Sequence, residues 1–287
     1  MARGLDHIVH AVRDLDAAAA LYERLGFLVG ARNRHPWGTH NRLVQLPGFF
    51  IELVTVAEPD KLGEDGFSRL FGAYIRDFLT RQEGFSGLLL ASTDATRDAT
   101  LFRDPGIAAS DALHFEREGR SPDGRPVTVG FSLAFARDPG APDIGFAACH
   151  HHTPENFWNP AFQAHPNGAT GVARVVLVAE NPANHHIFLS AVAGEREPLV
   201  TAGGVRIATP RGIIQVMEPA LYADHFGVPA PDVARGARLA ALIIAVRDRQ
   251  HVAALLEQAK IPAVNRMDRI VVGPQQVMGA TIVFEPA

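Results

Sequence analysis

A run of secondary-structure signals in the order βαβββ occurs four times along the chain, and this repeat constrains the fold more than any other feature. The first copy opens with the apolar strand LDHIVHAV, continues with the amphipathic helix DLDAAAALYERLG and ends with three strand-like pieces, the last being FFIELVTV. The later copies begin at GFSGLLLAST, GVARVVLVAEN and RLAALIIAVRD. Because one βαβββ unit leaves an apolar sheet face bare, the units must pair. The repeat therefore predicts an α+β fold with two paired halves.

The boundaries of the halves follow from the composition of the chain. The first half is predicted to span residues 1–152 and the second residues 171–287, separated by a connector rich in Pro, Asn and Gly at residues 153–170. The predicted modules are 1–56, 83–152, 171–220 and 237–287. The stretch from Glu58 to Arg81 is too apolar for a free linker, so we expect it to pack as helix or loop over the mouth of a barrel.

The composition of the chain limits which kinds of partner and which cellular location are expected. The chain has 287 residues and one cysteine, so it is long enough for a well-buried core and cannot form an internal disulfide. Its net charge of −4 and its scattered Lys and Arg do not favour nucleic acid as a partner. MARGLDHIVHAV leads straight into a strand with no signal segment, and no apolar run approaches the roughly 20 residues that cross a bilayer. We expect a cytoplasmic protein whose partner is a small molecule or another chain, including a homodimer.

The segments LDHIVHAVRDLDAAAALYERLGFLV and RHPWGTHNRLVQLPGFFIELV resemble the glyoxalase-like branch of the vicinal oxygen chelate superfamily. The first module carries the motif match, and the other three resemble the family by repeat order and strand pattern. The resemblance implies paired βαβββ modules in two open, cup-shaped mixed sheets, as in the glyoxalase, bleomycin-resistance and dihydroxybiphenyl-dioxygenase fold. Each cup can hold a divalent metal ion. The same fold serves lyases, isomerases, ring-cleaving dioxygenases and metal-free binding proteins, so the fold alone does not fix the reaction.

The resemblance also implies metal ligands on the first and last strands of a module. These positions are His7 and Glu52, both within apolar runs, where an uncompensated carboxylate is costly. The alternative without a metal is that His7 is a hydrogen-bonded core histidine and Glu52 faces a solvated cleft. Strict alternation along the first strand would place Leu5, His7 and Val9 on one face and Asp6, Ile8 and His10 on the other. We therefore expect His7 in the cup and His10 behind the sheet.

The second module should supply the remaining ligand from the stretch AACHHHTPENFW. An alignment with the first module puts Gly87 opposite His7 and Cys149 opposite Glu52, so a histidine is missing from the first strand. His151 would share the face of Cys149, and His7, Glu52 and His151 would then form a two-histidine-one-carboxylate set for Fe, Mn, Zn or Ni. The triplet His150, His151 and His152 can equally be a polar strand end, and Cys149 a small buried residue.

Polar residues before the last strand of the first module are candidates for binding substrate: His35, Thr39, His40, Asn41 and Arg42. One alternate set should line the cup, and the resemblance favours His35, Thr39 and Asn41, with Trp37 as an apolar wall. His165 and Asn167 are either a connector turn or a wall of the site. Glu155 and His40 are candidates for a general base, and the spacing selects neither.

The second half has no histidine on the first strand of either module, and its last strands offer Gln215, Glu218 and Glu285. It is therefore predicted to be a degenerate pair that provides packing, a lid or a dimer surface. Three functions remain from the sequence. The first is a metalloenzyme that binds two oxygens of a small substrate through a divalent ion, and the second is a metal-free protein that binds a small molecule. The third is a scaffolding dimer in which side chains fill the cup.

Overall fold

The computed structural model describes residues 2–64, 66–120 and 125–287, without the side chain of Arg120. Its strands form two eight-stranded mixed sheets, one from each predicted half. The first sheet contains β1 (Leu5–Ala11), β2 (Asn33–Arg34), β3 (Thr39–Leu46), β4 (Phe49–Val56), β5 (Gly84–Ser92), β6 (Leu113–Arg120), β7 (Pro126–Ala136) and β8 (Gly145–His151). The second contains β9 (Ala169–Val178), β10 (Leu199–Thr201), β11 (Gly204–Ala208), β12 (Ile213–Met217), β13 (Arg238–Val246), β14 (Val264–Arg266), β15 (Arg269–Val272) and β16 (Thr281–Pro286).

The two sheets have the same strand order, which confirms the repeated βαβββ fold. The first is ordered β2-β3-β4-β1-β5-β8-β7-β6, and the second β10-β11-β12-β9-β13-β16-β15-β14. In the first sheet β1 runs parallel to β4, β5 runs parallel to β8, and β1 and β5 meet antiparallel at the centre. Two modules therefore join at their first strands in each sheet, related by an approximate twofold axis.

The helices are α1 (Leu15–Arg24), α2 (Tyr74–Arg81), α3 (Ala95–Arg103), α4 (Pro154–Phe157), α5 (His186–Ala193), α6 (Pro219–Phe226) and α7 (Arg249–Gln258). Helix α1 begins where the sequence indicates, because the Asp14 side chain accepts hydrogen bonds from the backbone N–H groups of Asp16 and Ala17. A π-helical turn, Ser68–Ala73, leads into α2. None of the helices in the described part of the chain is long and apolar enough to cross a membrane.

Each sheet carries buried apolar side chains on both of its faces. One large cluster of buried apolar side chains takes residues from both sheets and from helices α1, α3, α5 and α7, so the outer faces of the sheets share one core. The inner face of the first sheet has its own cluster, to which α2 contributes Ile75 and Phe78. The inner face of the second sheet has another, filled at one end by Tyr222 and Phe226 of α6. The two halves are therefore one packed body with two inner faces.

Contacts across the shared core fix the two halves to each other. Arg211 Nη1 donates to the carbonyl of Leu5 at 2.8 Å, and the Leu5 N–H donates to the carbonyl of Arg211 at 3.0 Å. His10 lies behind the first sheet, completely buried, with Nδ1 2.8 Å from the Tyr22 hydroxyl and Nε2 3.1 Å from the carbonyl of Met278.

A β-bulge occurs at equivalent places on the first strand of both sheets. Between β1 and β5 the register jumps from Leu5 opposite Leu90 to His7 opposite Leu89, which leaves Asp6 as the extra residue. Between β9 and β13 it jumps from Val172 opposite Ile244 to Arg174 opposite Ile243, which leaves Ala173 as the extra residue. A bulge breaks the alternation of side chains, so two consecutive residues can face the same side.

Candidate functional site

The inner face of the first sheet holds a cavity of about 50 Å³, which we call the inner cavity. Its walls are mostly aromatic: Trp37, Phe50, Phe67, Phe71, Phe115, Phe131 and Phe157. Its polar lining consists of His7, His35, Asn41, Glu52 and Arg117. A wider cleft of about 630 Å³ shares Leu43, Arg117 and Phe157 with it and lies between the β2–β3 and β6–β7 regions. A mostly apolar cavity with a few convergent polar groups is typical of a small-molecule site.

Glu52 is the polar centre of the inner cavity. It is 5 % exposed, and its Oε1 accepts a hydrogen bond of 2.6 Å from the Asn41 amide. Nε2 of His7 lies 4.0 Å from Oε2, and Nε2 of His35 lies 4.0 Å from Oε1. Burial raises the pKa of Glu52, although His7, the Asn41 hydrogen bond and the charge of Arg117 oppose the rise. The carboxylate is therefore held between two imidazole rings in a poorly hydrated space.

The tautomer of His7 follows from its partner. Nδ1 lies 2.6 Å from Oδ2 of Asp6, and an ionised carboxylate can only accept, so Nδ1 carries the proton. Burial raises the pKa of Asp6, but the hydrogen bonds and charges of His151 and His7 outweigh burial and hold this pKa well below its usual range. In neutral His7 the lone pair is consequently on Nε2, which faces Glu52. A carboxylate behind a histidine in this way is the usual support of a metal-binding imidazole.

His35 is oriented by the same logic with different partners. Its Nε2 lies 3.4 Å from the amide nitrogen of Asn41, which can only donate, so Nε2 accepts and Nδ1–H donates to Thr39 Oγ1 at 2.8 Å. Burial, followed by the charges of Arg117 and His40, lowers the pKa of His35 to about 3. The ring is therefore neutral at pH 7 with a lone pair toward Glu52.

The bulge turns Asp6 toward the inner side of the sheet. The prediction from strict alternation, which placed Asp6 on the face opposite His7, was therefore wrong. Asp6 is 3 % exposed and contacts His7 and His151, both on the inner side. Leu5 instead packs in the shared core together with Ile8. The expectation that Leu5 shares a face with His7 was thus wrong for the same reason, whereas His7 and Val9 do lie on the inner side.

His151 contacts Asp6 and does not line the inner cavity. Its Nε2 lies 3.1 and 3.2 Å from the two oxygens of Asp6, and its buried Nδ1 has no hydrogen-bond partner among the described residues. The rings of Phe131, Phe157 and Trp158 surround it. His150 and His152 lie on the opposite face, where His152 Nε2 is 2.8 Å from Ser132 Oγ.

The strand pairing of the first sheet shows which residue of the second module is equivalent to Glu52, and it is not Cys149. Glu52 pairs with Val9 on β1, and the equivalent of Val9 on β5 is Leu89, which pairs with Ala147. Ala147, two residues before Cys149, therefore stands at the position equivalent to Glu52, and the alignment of Cys149 with Glu52 was wrong. The equivalence of Gly87 and His7 agrees with the pairing, because Val9 lies opposite Gly87 and His7 opposite Leu89.

Asp6, His7 and Cys149 form a compact group whose ligand atoms all lie within 4.8 Å of one another. This group is a poor metal site for two reasons. Asp6 and His7 are already joined by a hydrogen bond, and burial, with the nearby carboxylates of Asp6 and Glu52, raises the pKa of the Cys149 thiol well above its usual range. A metal ligand must be the thiolate. His7 and Glu52 face each other across open space and match the needs of a divalent ion better.

Strand β3 divides the predicted substrate residues between two faces. Asn41 and His35 line the inner cavity, and Thr39 lies beneath His35 as its hydrogen-bond partner. His40 and Arg42 belong to the other alternate set of β3 and do not line the inner cavity, as expected when only one set faces the cup. His40 Nε2 is 3.1 Å from Glu58, and Arg42 donates to Gly30 and Asp16.

Arg117 on β6 is a cavity residue that the sequence reading missed. It lines both the inner cavity and the wider cleft, and it interacts electrostatically with Glu52. Burial lowers the pKa of its guanidinium, against the effect of Glu52. The alternation Phe115, Arg117 on an inward face was a usable signal, since Phe115 also lines the cavity.

His165 and Asn167 belong to the connector and not to the cavity wall. His165 Nδ1 accepts from the Leu28 N–H at 3.0 Å, and its Nε2 donates to the carbonyl of Gln45 at 2.6 Å. Asn167 donates to the carbonyl of Leu25 at 2.9 Å.

Paired βαβββ modules that form cup-shaped sheets, with a histidine and carboxylate cluster inside one cup, define a protein of the vicinal oxygen chelate fold. The family model described as Glyoxalase-like domain matches residues 5–192, and the chain belongs to that family. Among curated proteins none matches this chain.

Solved structures share the fold at low sequence identity. A hypothetical protein from Staphylococcus aureus aligns with a TM-score of 0.70 at 12 % identity, over 99 % of this chain and 100 % of its own. A mutant 4-hydroxymandelate synthase from Streptomyces coelicolor aligns with a TM-score of 0.56 at 11 % identity, over 99 % of this chain and 92 % of its own. A fusion of a xylose isomerase-like TIM barrel with a 4-hydroxyphenylpyruvate dioxygenase gives 0.56 at 13 % identity, over 100 % of this chain and 50 % of its own. A chain named as a synthase and one named as a dioxygenase fusion are thus among those of this fold.

Proposed function

We propose that the protein is a metal-dependent enzyme of the vicinal oxygen chelate type, with a divalent ion of Fe, Mn, Zn or Ni held by His7 and Glu52. The observation that carries the proposal is the pair of imidazole Nε2 atoms, each 4.0 Å from one oxygen of a buried carboxylate. Ligand atoms lie roughly 2.0–2.2 Å from such an ion, so two of them on one ion are at most about 4.3 Å apart. Each of the two histidine–glutamate distances fits within that limit. The three ligand atoms together are spread more widely, so an ion held by both histidines and Glu52 would draw the side chains inward.

The proposed ion would supply Lewis acidity toward two oxygens of a small substrate. The chain's own residues would do the rest. Asp6 fixes the tautomer and ring plane of His7, and Asn41 fixes the plane of Glu52. The aromatic walls would hold an apolar or ring-bearing part of the substrate and exclude water, and Arg117 at the junction with the wider cleft would balance negative charge. Two of the similar structures are named for ring-bearing compounds, which supports a dioxygenase type beside the lyase or isomerase type.

The third ligand has two candidates. The sequence pattern selects His151, whose Nδ1 is buried and unpartnered among the described residues but which does not line the inner cavity. His35 already faces Glu52, and its Nδ1 is tied to Thr39. We propose His35 as the third ligand and His151 as the residue that, with His7, holds Asp6 ionised.

Metal content of purified protein tests the proposal. The chain is stripped with a chelator, reloaded separately with Fe(II), Mn(II), Zn(II) and Ni(II), and analysed by plasma mass spectrometry. We expect about one equivalent bound by the unchanged chain, and strong loss in His7→Ala and Glu52→Gln. Loss in His35→Ala with retention in His151→Ala supports the assignment of His35, and the reverse supports His151. Unchanged metal content in both His7→Ala and Glu52→Gln would refute the metal site.

A second candidate function is a metal-free binding protein for a small apolar or aromatic molecule. The observation in its favour is that Asn41 already donates to Glu52 at 2.6 Å and that His7, His35 and Glu52 do not bring all their ligand atoms within 4.8 Å of one another. Mass spectrometry of the native protein before and after chelator treatment separates the two functions. A small molecule retained at full occupancy after removal of metal supports the binding protein.

A further inference from the structure

The inner face of the second sheet carries a cluster of basic residues that the proposed function does not use. Its members come from four elements: Arg174 on β9, Arg206 on β11, Arg269 on β15 and His225 on α6. Alternation places the arginines on the inner face, since their neighbours Val175, Val205 and Ile270 all lie in the shared core. One carboxylate, Glu285 on β16, accompanies them. We call these residues the arginine cluster.

Contacts within the cluster leave it with excess positive charge. Arg269 Nε donates to Glu285 at 2.9 Å, and its Nη1 donates to Nε2 of His225 at 2.7 Å, so that His225 is neutral in this arrangement. Arg174 Nη1 donates to the neutral amide oxygen of Gln215 at 2.9 Å. Three guanidinium groups are thus matched by a single carboxylate within the cluster.

The charges lie close enough to affect one another. Burial lowers the pKa of Arg174, and the charges of Arg206 and Arg269 lower it further against the opposing effect of Glu285. Burial, then Arg269, Arg174 and Arg206, lowers the pKa of His225. Mutual repulsion of this kind costs folding free energy unless an anion relieves it.

Donors in the cluster are also unused. The Nε atoms of Arg174 and Arg206 are buried and have no hydrogen-bond partner in the described part of the chain. Arg42 and Arg238 have a similar Nε, so the orphaned atom alone is not diagnostic. What distinguishes Arg174 and Arg206 is that they converge, with Arg269, on one sheet face.

The position of the cluster matches that of the candidate site in the first sheet. Arg174 follows the bulge on β9 as His7 follows the bulge on β1. Gln215 pairs with Val176 as Glu52 pairs with Val9. The repeat has therefore placed a histidine and a glutamate in one cup, and an arginine and a glutamine at the same places in the other. At these equivalent positions the second cup therefore carries a cationic and a neutral side chain where the first carries an imidazole and a carboxylate.

We propose that the inner face of the second sheet binds an oxyanion, the phosphate or carboxylate group of a small molecule, through Arg174, Arg206 and Arg269. Guanidinium groups match both anions by paired N–H donors in one plane. Gln215 positions Arg174, and Glu285 with His225 positions Arg269. The site is separate from the inner cavity, so it does not depend on the proposed metal.

Isothermal titration calorimetry with inorganic phosphate tests the proposal, at an ionic strength held constant with sodium chloride. Succinate serves as the carboxylate probe in a parallel titration. We expect saturable binding of one equivalent of at least one probe, and the probe that binds more tightly identifies the source of the oxyanion. Arg174→Gln and Arg206→Gln should each weaken this binding about tenfold or more, because each removes a guanidinium that donates charge-assisted hydrogen bonds to the anion.

Arg247→Gln provides the matched control, because it removes the same charge from an exposed arginine between β13 and α7. Binding should be unchanged in this variant. His7→Ala should also leave it unchanged, which separates this site from the proposed metal site. Should Arg174→Gln fail to fold by circular dichroism, Arg206→Gln on a different strand carries the test. The proposal is overturned if neither probe binds in a saturable way, or if Arg206→Gln binds as tightly as Arg247→Gln.

Discussion

Asp6 accepts a hydrogen bond of 2.6 Å from His7 although the two residues are consecutive on a strand. Consecutive strand residues normally point to opposite faces, and here the β-bulge at Asp6 brings both to the inner side. The same carboxylate accepts from His151, 145 positions away. Asp6 therefore connects the first strand of one module with the last strand of its partner, directly behind the histidine that we assign to the metal.

Replacement of Asp6 by Asn should weaken metal binding without removing a ligand. The amide cannot hold His7 in its present tautomer as strongly, and loss of such a supporting carboxylate typically costs about 10–100-fold in metal affinity. Competition titrations with a chromogenic chelator measure the change. Asp138→Asn is the matched control. Asp138 accepts a hydrogen bond of 2.7 Å from Nδ1 of His185, and neither residue lines the inner cavity. Equal affinity in Asp6→Asn and the unchanged chain would contradict the role given to Asp6.

Neighbouring residues of β3 should respond in opposite ways to substitution. Asn41→Ala removes the amide that orients Glu52 and touches His35, so we expect weaker metal and ligand binding. His40→Gln and Arg42→Gln change residues on the other face and should leave binding unchanged. The same chelator competition applies to all three variants. A loss in His40→Gln as large as in Asn41→Ala would show that the face assignment does not govern the site.

The fold could be predicted from the sequence because the repeat consists of the order of strand and helix signals along the chain. Four βαβββ patterns, each with periodically spaced apolar residues, predict paired modules without any knowledge of contacts. Each of the two sheets is built from two such modules, as predicted. His7 and Glu52 were accessible for a related reason, since ionisable residues inside apolar runs stand out and the family resemblance supplied their roles.

The rest of the site depends on features that no period in the sequence reveals. The bulge at Asp6 reverses the faces of Leu5 and Asp6, and a single inserted residue has no signature in an otherwise apolar strand. The equivalence of Ala147 with Glu52 depends on strand register, which slips freely in an alignment of short strands. Arg117 is brought to Glu52 by the pairing of modules, a contact across 65 residues of sequence.

Gly87 occupies the place of a histidine because the space is filled. A Cβ atom at Gly87 would lie 3.0 Å from Cγ2 and 3.2 Å from Cβ of Val9. Gly87→Ala should therefore destabilise the protein by about 1–3 kcal/mol, as overpacking does. In combination with Val9→Ala the cost should be lower than the sum of the two single changes, with a coupling of about 0.5–3 kcal/mol.

Urea unfolding of the two single variants and the double variant measures this coupling. Gly171→Ala is the control, since a Cβ atom there meets no other atom within 4 Å, and its effect should stay within about 0.5 kcal/mol. Strict additivity of Gly87→Ala and Val9→Ala would mean that the contact with Val9 does not explain the glycine.

His10 should make the stability of the protein fall with acid. Its Nε2 donates to the carbonyl of Met278 and its Nδ1 accepts from Tyr22, so the folded form is neutral. Burial lowers its pKa from the ordinary 6.5 to about 4, against the hydrogen bond to Met278. Above pH 6.5 neither the folded nor the unfolded chain is protonated at this ring, and the full stability is present. Between pH 6.5 and about 4 only the unfolded chain takes up the proton.

Protonation of His10 should therefore lower the free energy of unfolding by about 1.4 kcal/mol per pH unit between pH 6.5 and about 4. The total loss is about 3 kcal/mol. Urea unfolding at pH 7 and pH 4.5 measures the fall. Burial also lowers the pKa of His35 and of His165, so acid affects more than one site. The comparison is therefore with His10→Gln, which should lose less stability on acidification than the unchanged chain. His251→Gln, at an exposed histidine of α7, should behave like the unchanged chain. A shallower acid response in His10→Gln would show that protonation of this ring, which joins Tyr22 of the first half to Met278 of the second, contributes to the loss of stability. Identical responses in the two chains would assign the acid sensitivity to other groups.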